Sequence, residues 1–268
     1  MQNKPAKSKK PVVLINKPFL KGPWHSSFAM KRGFRILGYQ VILVFIFLFI
    51  GQILMVESVL LRVFLNLSVI LSFCSLMYVD GSRAGLEDVS YAEIVYNRKE
   101  DGKQLTVSEL ARCYNPGKGF YSVIVGMLPF FILAIIFAVI TKEQFYTLGG
   151  LPAWVQTFER RADIGLALAY YHESQRLGFV GILRIIIRLL LFPYINMVGT
   201  ESSAALLLLE RLSPLLIMII PTSYALGYLR GPSLRARVHG SISADKKRRK
   251  RREKKAQAQR KQPPKSLV

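Results

Sequence analysis

Two cysteines, Cys74 and Cys113, and three scattered histidines, His25, His172 and His239, are all the thiol and imidazole chemistry in this chain of 268 residues. Two thiols cannot build a disulfide framework or a cysteine-based zinc site. The histidines form no metal-ligating pair of the His-Glu-x-x-His kind. A phosphate-binding glycine loop is also missing, because Gly102-Lys103 lacks the earlier glycine and the following Ser/Thr, and Gly117-Lys118-Gly119 opens no dinucleotide fingerprint. Neither a nucleophile elbow nor a kinase signature occurs. The expectation is therefore a protein without catalytic residues, metal or cofactor.

Acidic residues are few, 16 against 38 Lys/Arg, and the net charge is +22 although 51% of the residues are hydrophobic. A soluble domain that apolar is seldom so one-sidedly charged, so the two properties must occupy different stretches. Residues 1–35 carry nine Lys/Arg and no acid, and residues 231–268 carry fourteen Lys/Arg and two acids. Between them, residues 36–230 are close to neutral. An apolar body with two basic ends predicts an all-α polytopic membrane protein, a small bundle of about four transmembrane helices.

A helix needs about 20 apolar residues to cross the hydrocarbon core. Residues 36–56 provide twenty-one without a charge and 119–141 twenty-three, the latter containing Pro129. Residues 58–79 form a third span, paired with 36–56 as a tight hairpin, and Arg62 sits near one end where it can reach headgroups. The fourth is 204–229, with Pro214 and Pro221 as expected kinks. Residues 178–199 are long enough to cross but carry Arg184 and Arg188 near the middle, and a central arginine costs about 2.5–3.5 kcal/mol on insertion. Their four-residue spacing places both on one helix face, which suits an interfacial or re-entrant helix and leaves four spans.

Nine cations ahead of the first span place the amino terminus in the cytoplasm by the positive-inside rule, and four spans return the basic carboxy-terminal tail to the same side. The leading basic region is too long for a cleavable signal, so the first span reads as a signal anchor, in a plasma membrane of bacterial type. On the cytoplasmic side, 80–118 predicts connecting helices: Leu86, Val89, Ile94 and Val95 approximate one face, 99–103 a turn, Thr106-Val107-Ser108-Glu109 a capping box, and Asn115-Pro116-Gly117 a stop. Outside, 142–203 predicts an amphipathic helix from Pro152 through Phe158, together with the 178–199 element. Trp24, Tyr39, Tyr78, Tyr146, Trp154 and Tyr228 fall near span ends, where amphipathic rings favour the interface.

Two constellations bear on function. Arg184, Arg188, Glu210 and Arg211 lie within or beside apolar sequence, where ionisable groups mark functional or packing networks. Glu210 is expected to pair with Arg184 or Arg188, while the adjacent Arg211 diverges by about 100° on a helix. The second is the tail, 230–268, in which Lys246, Lys247, Arg248, Arg249, Lys250, Arg251, Arg252, Lys254 and Lys255 surround one acid, Glu253. Such a segment is expected to be disordered alone and drawn to polyanions: the headgroups of an anionic leaflet, RNA or a ribosome, or an acidic protein. From Ser241 onward there is no aromatic residue for base stacking.

The leading function is a non-enzymatic scaffold or interaction protein whose basic ends bind the anionic leaflet or a polyanionic partner, with another membrane protein as a further partner. A small permease subunit or transport accessory is the alternative. A membrane-protein biogenesis factor contacting ribosomes through its tail is the third. In outline, a small bundle with a polar arginine and a basic tail resembles the insertases that dock ribosomes.

Overall fold

The computed structural model describes residues 14–51, 53–54, 56–142, 178–198 and 202–261. Among them every regular element is a helix: α1 (Ser27–Ile50), α2 (Val59–Glu100), α3 (Val107–Arg112), α4 (Gly117–Ile140), α5 (Phe179–Leu190), α6 (Phe192–Val198), α7 (Ser203–Arg211), α8 (Ser213–Leu229) and α9 (Gly231–Lys261). The expected helix beginning at Pro152, with Tyr146, Trp154 and His172, lies outside the described residues. Among the described residues three helices, α1, α2 and α4, are long and apolar enough to cross a bilayer, or up to five elements if each bent pair counts as one span.

The chain forms two compact units. One comprises residues 29–77 and 120–224. Its outer faces are strongly apolar: Phe49, Leu60 and Val139 are each at least 80% exposed. A water-soluble domain would bury such side chains. Here α1 ends at Ile50, so residues 51–58, and not Glu57 alone, connect it to α2. Gly51, at its start, leaves room for the Phe192 ring, which a Cβ there would overlap.

Crossings in this unit depend on small residues. A Cβ on Gly126 of α4 would collide with the carbonyl oxygen of Gly33 on α1, and one on Gly33 would lie 2.9 Å from the carbonyl oxygen of Ser122. Such small-residue contacts let helix backbones approach without water to drive them together. The Ser122 hydroxyl donates to the Ala29 carbonyl at 2.9 Å across the same contact.

Prolines locate both sharp bends. The α5–α6 pair is bent by 88° around Leu191 and the α7–α8 pair by 58° around Leu212. Each break stands two residues before a proline, Pro193 or Pro214, which has no N–H for the carbonyl four residues back and crowds it sterically. The expected kink at Pro214 is present, whereas α8 continues past Pro221 and α4 past Pro129 without a break.

The other unit comprises residues 1–28, 78–119 and 225–268. No proline interrupts α2, so in place of a span ending at residue 79 followed by short helices there is one helix of 42 residues. It ends in a Schellman motif: the Lys103 N–H donates to the Arg98 carbonyl and the Gly102 N–H to the Lys99 carbonyl, each at 3.1 Å, with Gly102 at φ 76°. The turn expected at 99–103 is this one. The Thr106–Glu109 capping box is formed in both directions and starts α3. Asn115 accepts from the Gly117 N–H at 2.9 Å and starts α4.

Val89, Ala92 and Val95 of α2 bury against Cys113, Tyr114 and Tyr228. Ile94, expected on that face, is 51% exposed, because the inward stripe runs through the residues on either side of it. Tyr228 is fully buried and stacks on Tyr114 with ring centroids 5.2 Å apart, so it is a core ring of this unit and not an interfacial one. The amino-terminal segment lies along the helices, with backbone bonds from Ile15 to Ala236, Leu20 to Ala92 and Gly22 to Tyr114.

Residues 231–261, expected to be disordered, form one helix, α9. Arg, Lys, Ala and Gln are good helix formers, and Asp245 and Glu253 support it through pairs with Arg248 at 3.9 Å and Arg249 at 3.0 Å.

Replacing Gly126 by alanine is expected to lower thermal stability in detergent by about 1–3 kcal/mol, the usual cost of overpacking. Gly38→Ala, where nothing lies within 4 Å of the new Cβ, should leave stability unchanged or raise it slightly.

Candidate functional site

Two polar clusters share one design: a buried carboxylate held by two basic side chains four residues apart on a single helix. The first lies in the unit of residues 29–77 and 120–224. On α5, Leu183, Arg184 and Ile187 face inward while Ile182, Ile185 and Ile186 face out. The guanidinium groups therefore point into the protein, and the aliphatic face is the exposed one.

There they meet Glu210 of α7, whose residue is 2% exposed. Arg188 Nη2 lies 2.6 Å and Arg184 Nε 3.1 Å from its Oε1. The Thr141 hydroxyl, just past α4, donates to Oε2 at 2.6 Å. Arg184 also donates through Nη2 to Thr141 Oγ1 and to the Lys142 carbonyl, both at 2.7 Å, and lies over the Phe137 ring at 5.7 Å. Both carboxylate oxygens are thus engaged, and the cluster ties the end of α4 to both bent pairs. Arg211 is exposed and stands outside it. The structure brings three of the four residues of this constellation together and leaves the fourth apart.

The second cluster lies in the unit of residues 1–28, 78–119 and 225–268, and sequence reasoning missed it. Glu93 of α2 receives Arg235 Nη2 at 2.8 Å and His239 Nε2 at 2.8 Å, both from α9. Burial pushes the Glu93 carboxyl up, but hydrogen bonds and charge from Arg235 and His239 outweigh it and leave the group below its ordinary 4.5. A cavity of about 250 Å³ beside it is lined by Ile15, Lys17, Phe19, Glu93, Arg235 and Ala236, among others. The four-residue spacing of Arg235 and His239 was the available signal. It repeats that of Arg184 and Arg188, but it fell in sequence that looked structureless.

Beneath this clasp lies a buried polar core. The Tyr228 hydroxyl donates to Asp88 at 2.6 Å. Lys118, 1% exposed, donates to the Ala111 carbonyl at 2.7 Å and to the Cys113 carbonyl. Burial pushes the Cys113 thiol up, and it donates to the Glu109 carbonyl at 3.4 Å. A thiol so placed is a packing group, since nucleophilic cysteines need a lowered pKa and access. Among the described residues, no three His, Cys, Asp or Glu side chains are grouped to hold a metal.

Beyond the clasp α9 is exposed from Ser241 to Lys254. Lys246, Lys247, Arg248, Arg249, Lys250, Arg251, Arg252 and Lys254 project on all sides of it. The side chain of Lys255 lies outside the described residues.

Among the described residues the class these features define is all-helical, with three to five candidate membrane-spanning elements, compatible with a helical membrane protein. No protein-family model matches the chain, and no curated protein or solved structure is significantly similar to it.

Glu210→Gln is expected to cost about 3–5 kcal/mol of stability, because it strands two guanidinium groups in a buried site. Arg188→Gln should cost less than Arg184→Gln, since its side chain is 23% exposed against 8%. Melting of the three variants in detergent checks the order. For the clasp, a carboxyl lowered on folding stabilises above its unfolded value and loses that contribution as pH falls through the folded one. Protection of α9 against proteolysis should therefore hold from pH 7 to about 4.5 and drop below it, and Glu93→Gln should reduce protection at pH 7 and flatten the profile.

Proposed function

We propose that this chain is a multi-pass, non-enzymatic protein of a bacterial plasma membrane that anchors a cationic helix at the cytoplasmic face and holds a polyanionic partner there. The observation that carries the reading is α9. Its root is clasped to Glu93 by Arg235 and His239, and its continuation places a dense run of cations in solvent. Ordering the root beforehand lowers the entropic cost of binding.

Four spans accord with the helix lengths. α1, the first half of α2, α4 and the α7–α8 pair are each long enough. The 12 residues of α5 and the 7 of α6 reach only about 18 and 10 Å, short of the ~30 Å core. With an 88° bend between them, they suit a re-entrant element. Both termini are then cytoplasmic, as the positive-inside rule requires.

A small permease subunit is the second reading, favoured by the two broken helix pairs meeting at the Arg184–Glu210 cluster. Transport sites are often built from discontinuous helices. Against it stands the closed character of that cluster, whose carboxylate oxygens are both taken.

Reporters fused after Gly149, Ser202 and Val268 are expected outside, outside and inside. In zwitterionic nanodiscs the full chain should bind heparin at low salt and release it at high salt, and truncation after Ser241 should abolish binding. A cytoplasmic reporter at 202, or heparin binding that survives the truncation, would overturn the reading.

A further inference from the structure

Geometry separates the polyanions that α9 could serve. In its unit, Val79, Leu226 and Leu229 are exposed apolar side chains close to where Gly227 packs against the Tyr78 backbone, and they mark the end that belongs at the lipid. From there α9 follows α2: Gly231 packs on Gly85, and Arg235 and His239 reach Glu93. Lys246 is seventeen residues beyond Leu229 and Lys254 twenty-five. At the helical rise these are about 25 and 37 Å. The field of an anionic leaflet decays over a Debye length of about 8 Å at physiological salt, so cations about three to five such lengths along the helix from Leu229 gain little from a leaflet at that end.

The composition of the helix agrees. An interfacial helix inserts an apolar face, and no apolar side chain lies between Lys246 and Lys255. Over those ten residues nine cations and one acid leave eight net charges. Spread over about 15 Å of helix, that is one positive charge per roughly 1.9 Å. Double-stranded DNA carries one negative charge per about 1.7 Å. The two linear densities nearly match.

We propose that α9, from Lys246 onward, docks on the phosphate backbone of a nucleic-acid duplex. This rests on the membrane-anchored reading above. Contacts to phosphates position a protein without reading bases, and the helix lacks the aromatic rings on which unpaired bases chiefly stack. Binding is therefore indifferent to sequence, favours duplex over single strand, and is governed by counterion release.

The test uses the full chain in zwitterionic nanodiscs, with a labelled 20-base-pair DNA duplex, its scrambled counterpart and the same sequence as single strand. About five phosphate contacts predict a loss of roughly 500-fold in affinity between 50 and 200 mM salt. Both duplexes should bind alike, and the single strand more weakly. Replacing Arg248, Arg249, Arg251 and Arg252 together by glutamine should weaken binding by about 100-fold or more at 50 mM salt. The same four changed to lysine should restore most of it, which separates charge from folding. Preference for anionic vesicles or polyglutamate over the duplex would overturn the nucleic-acid assignment and leave polyanion binding standing. Failure to bind duplex, vesicles, polyglutamate and heparin alike would overturn both.

Discussion

A carboxylate taken out of water must find cations, and a cation taken out of water must find a carboxylate, because an uncompensated buried charge costs several kilocalories per mole. Each unit of this protein meets that constraint with the same arrangement. Arg184 and Arg188 converge on Glu210, and Arg235 and His239 converge on Glu93. Two donors four residues apart rise from one helix face, so a single helix–helix contact brings both to one acid. In each case the acid sits on a different helix from its cations, and the pair fixes how those helices meet.

The first arrangement explains how an arginine-bearing segment fits in an apolar unit. Its aliphatic residues are turned outward and its guanidinium groups inward, the reverse of an interfacial helix with its charges in the headgroups. Proline then bends the neighbouring elements around the same point: Pro193 and Pro214 each lack the donor that would continue the preceding helix. Pro129 and Pro221, in otherwise continuous helices, leave theirs unbroken, so a proline alone does not set a bend.

The second arrangement makes a defined root for the basic helix. Long cationic segments have little to hold them in one conformation, yet the first third of α9 lies against α2 through the Gly85–Gly231 approach and the Glu93 clasp. The rest inherits a direction from that root. A charge run that composition alone describes only as attractive to anything negative thereby acquires a reach and a heading.

Much of this was readable along the chain. Apolar runs located α1, α4 and the apolar half of α2, since burying backbone polar groups in a helix is the only economical way to carry twenty apolar residues. The capping box at Thr106 and the turn at Gly102 were legible because both are local hydrogen-bond chemistry. Arg184, Arg188 and Glu210 stood out because charge in apolar sequence is costly. Glu93, Arg235 and His239 did not, since each is unremarkable in polar surroundings and they become a site only when residues more than 140 positions apart meet. Tyr228 was misplaced at an interface for the same reason: its partners Tyr114 and Asp88 are distant in sequence. The amino-acid order by itself determined helical class, apolar segments, caps and charge segregation, all of which depend on neighbours within a turn or two. Which carboxylate each cation finds, where the helices bend and which way the basic helix runs depend on contacts between distant segments, and only the tertiary structure decided them.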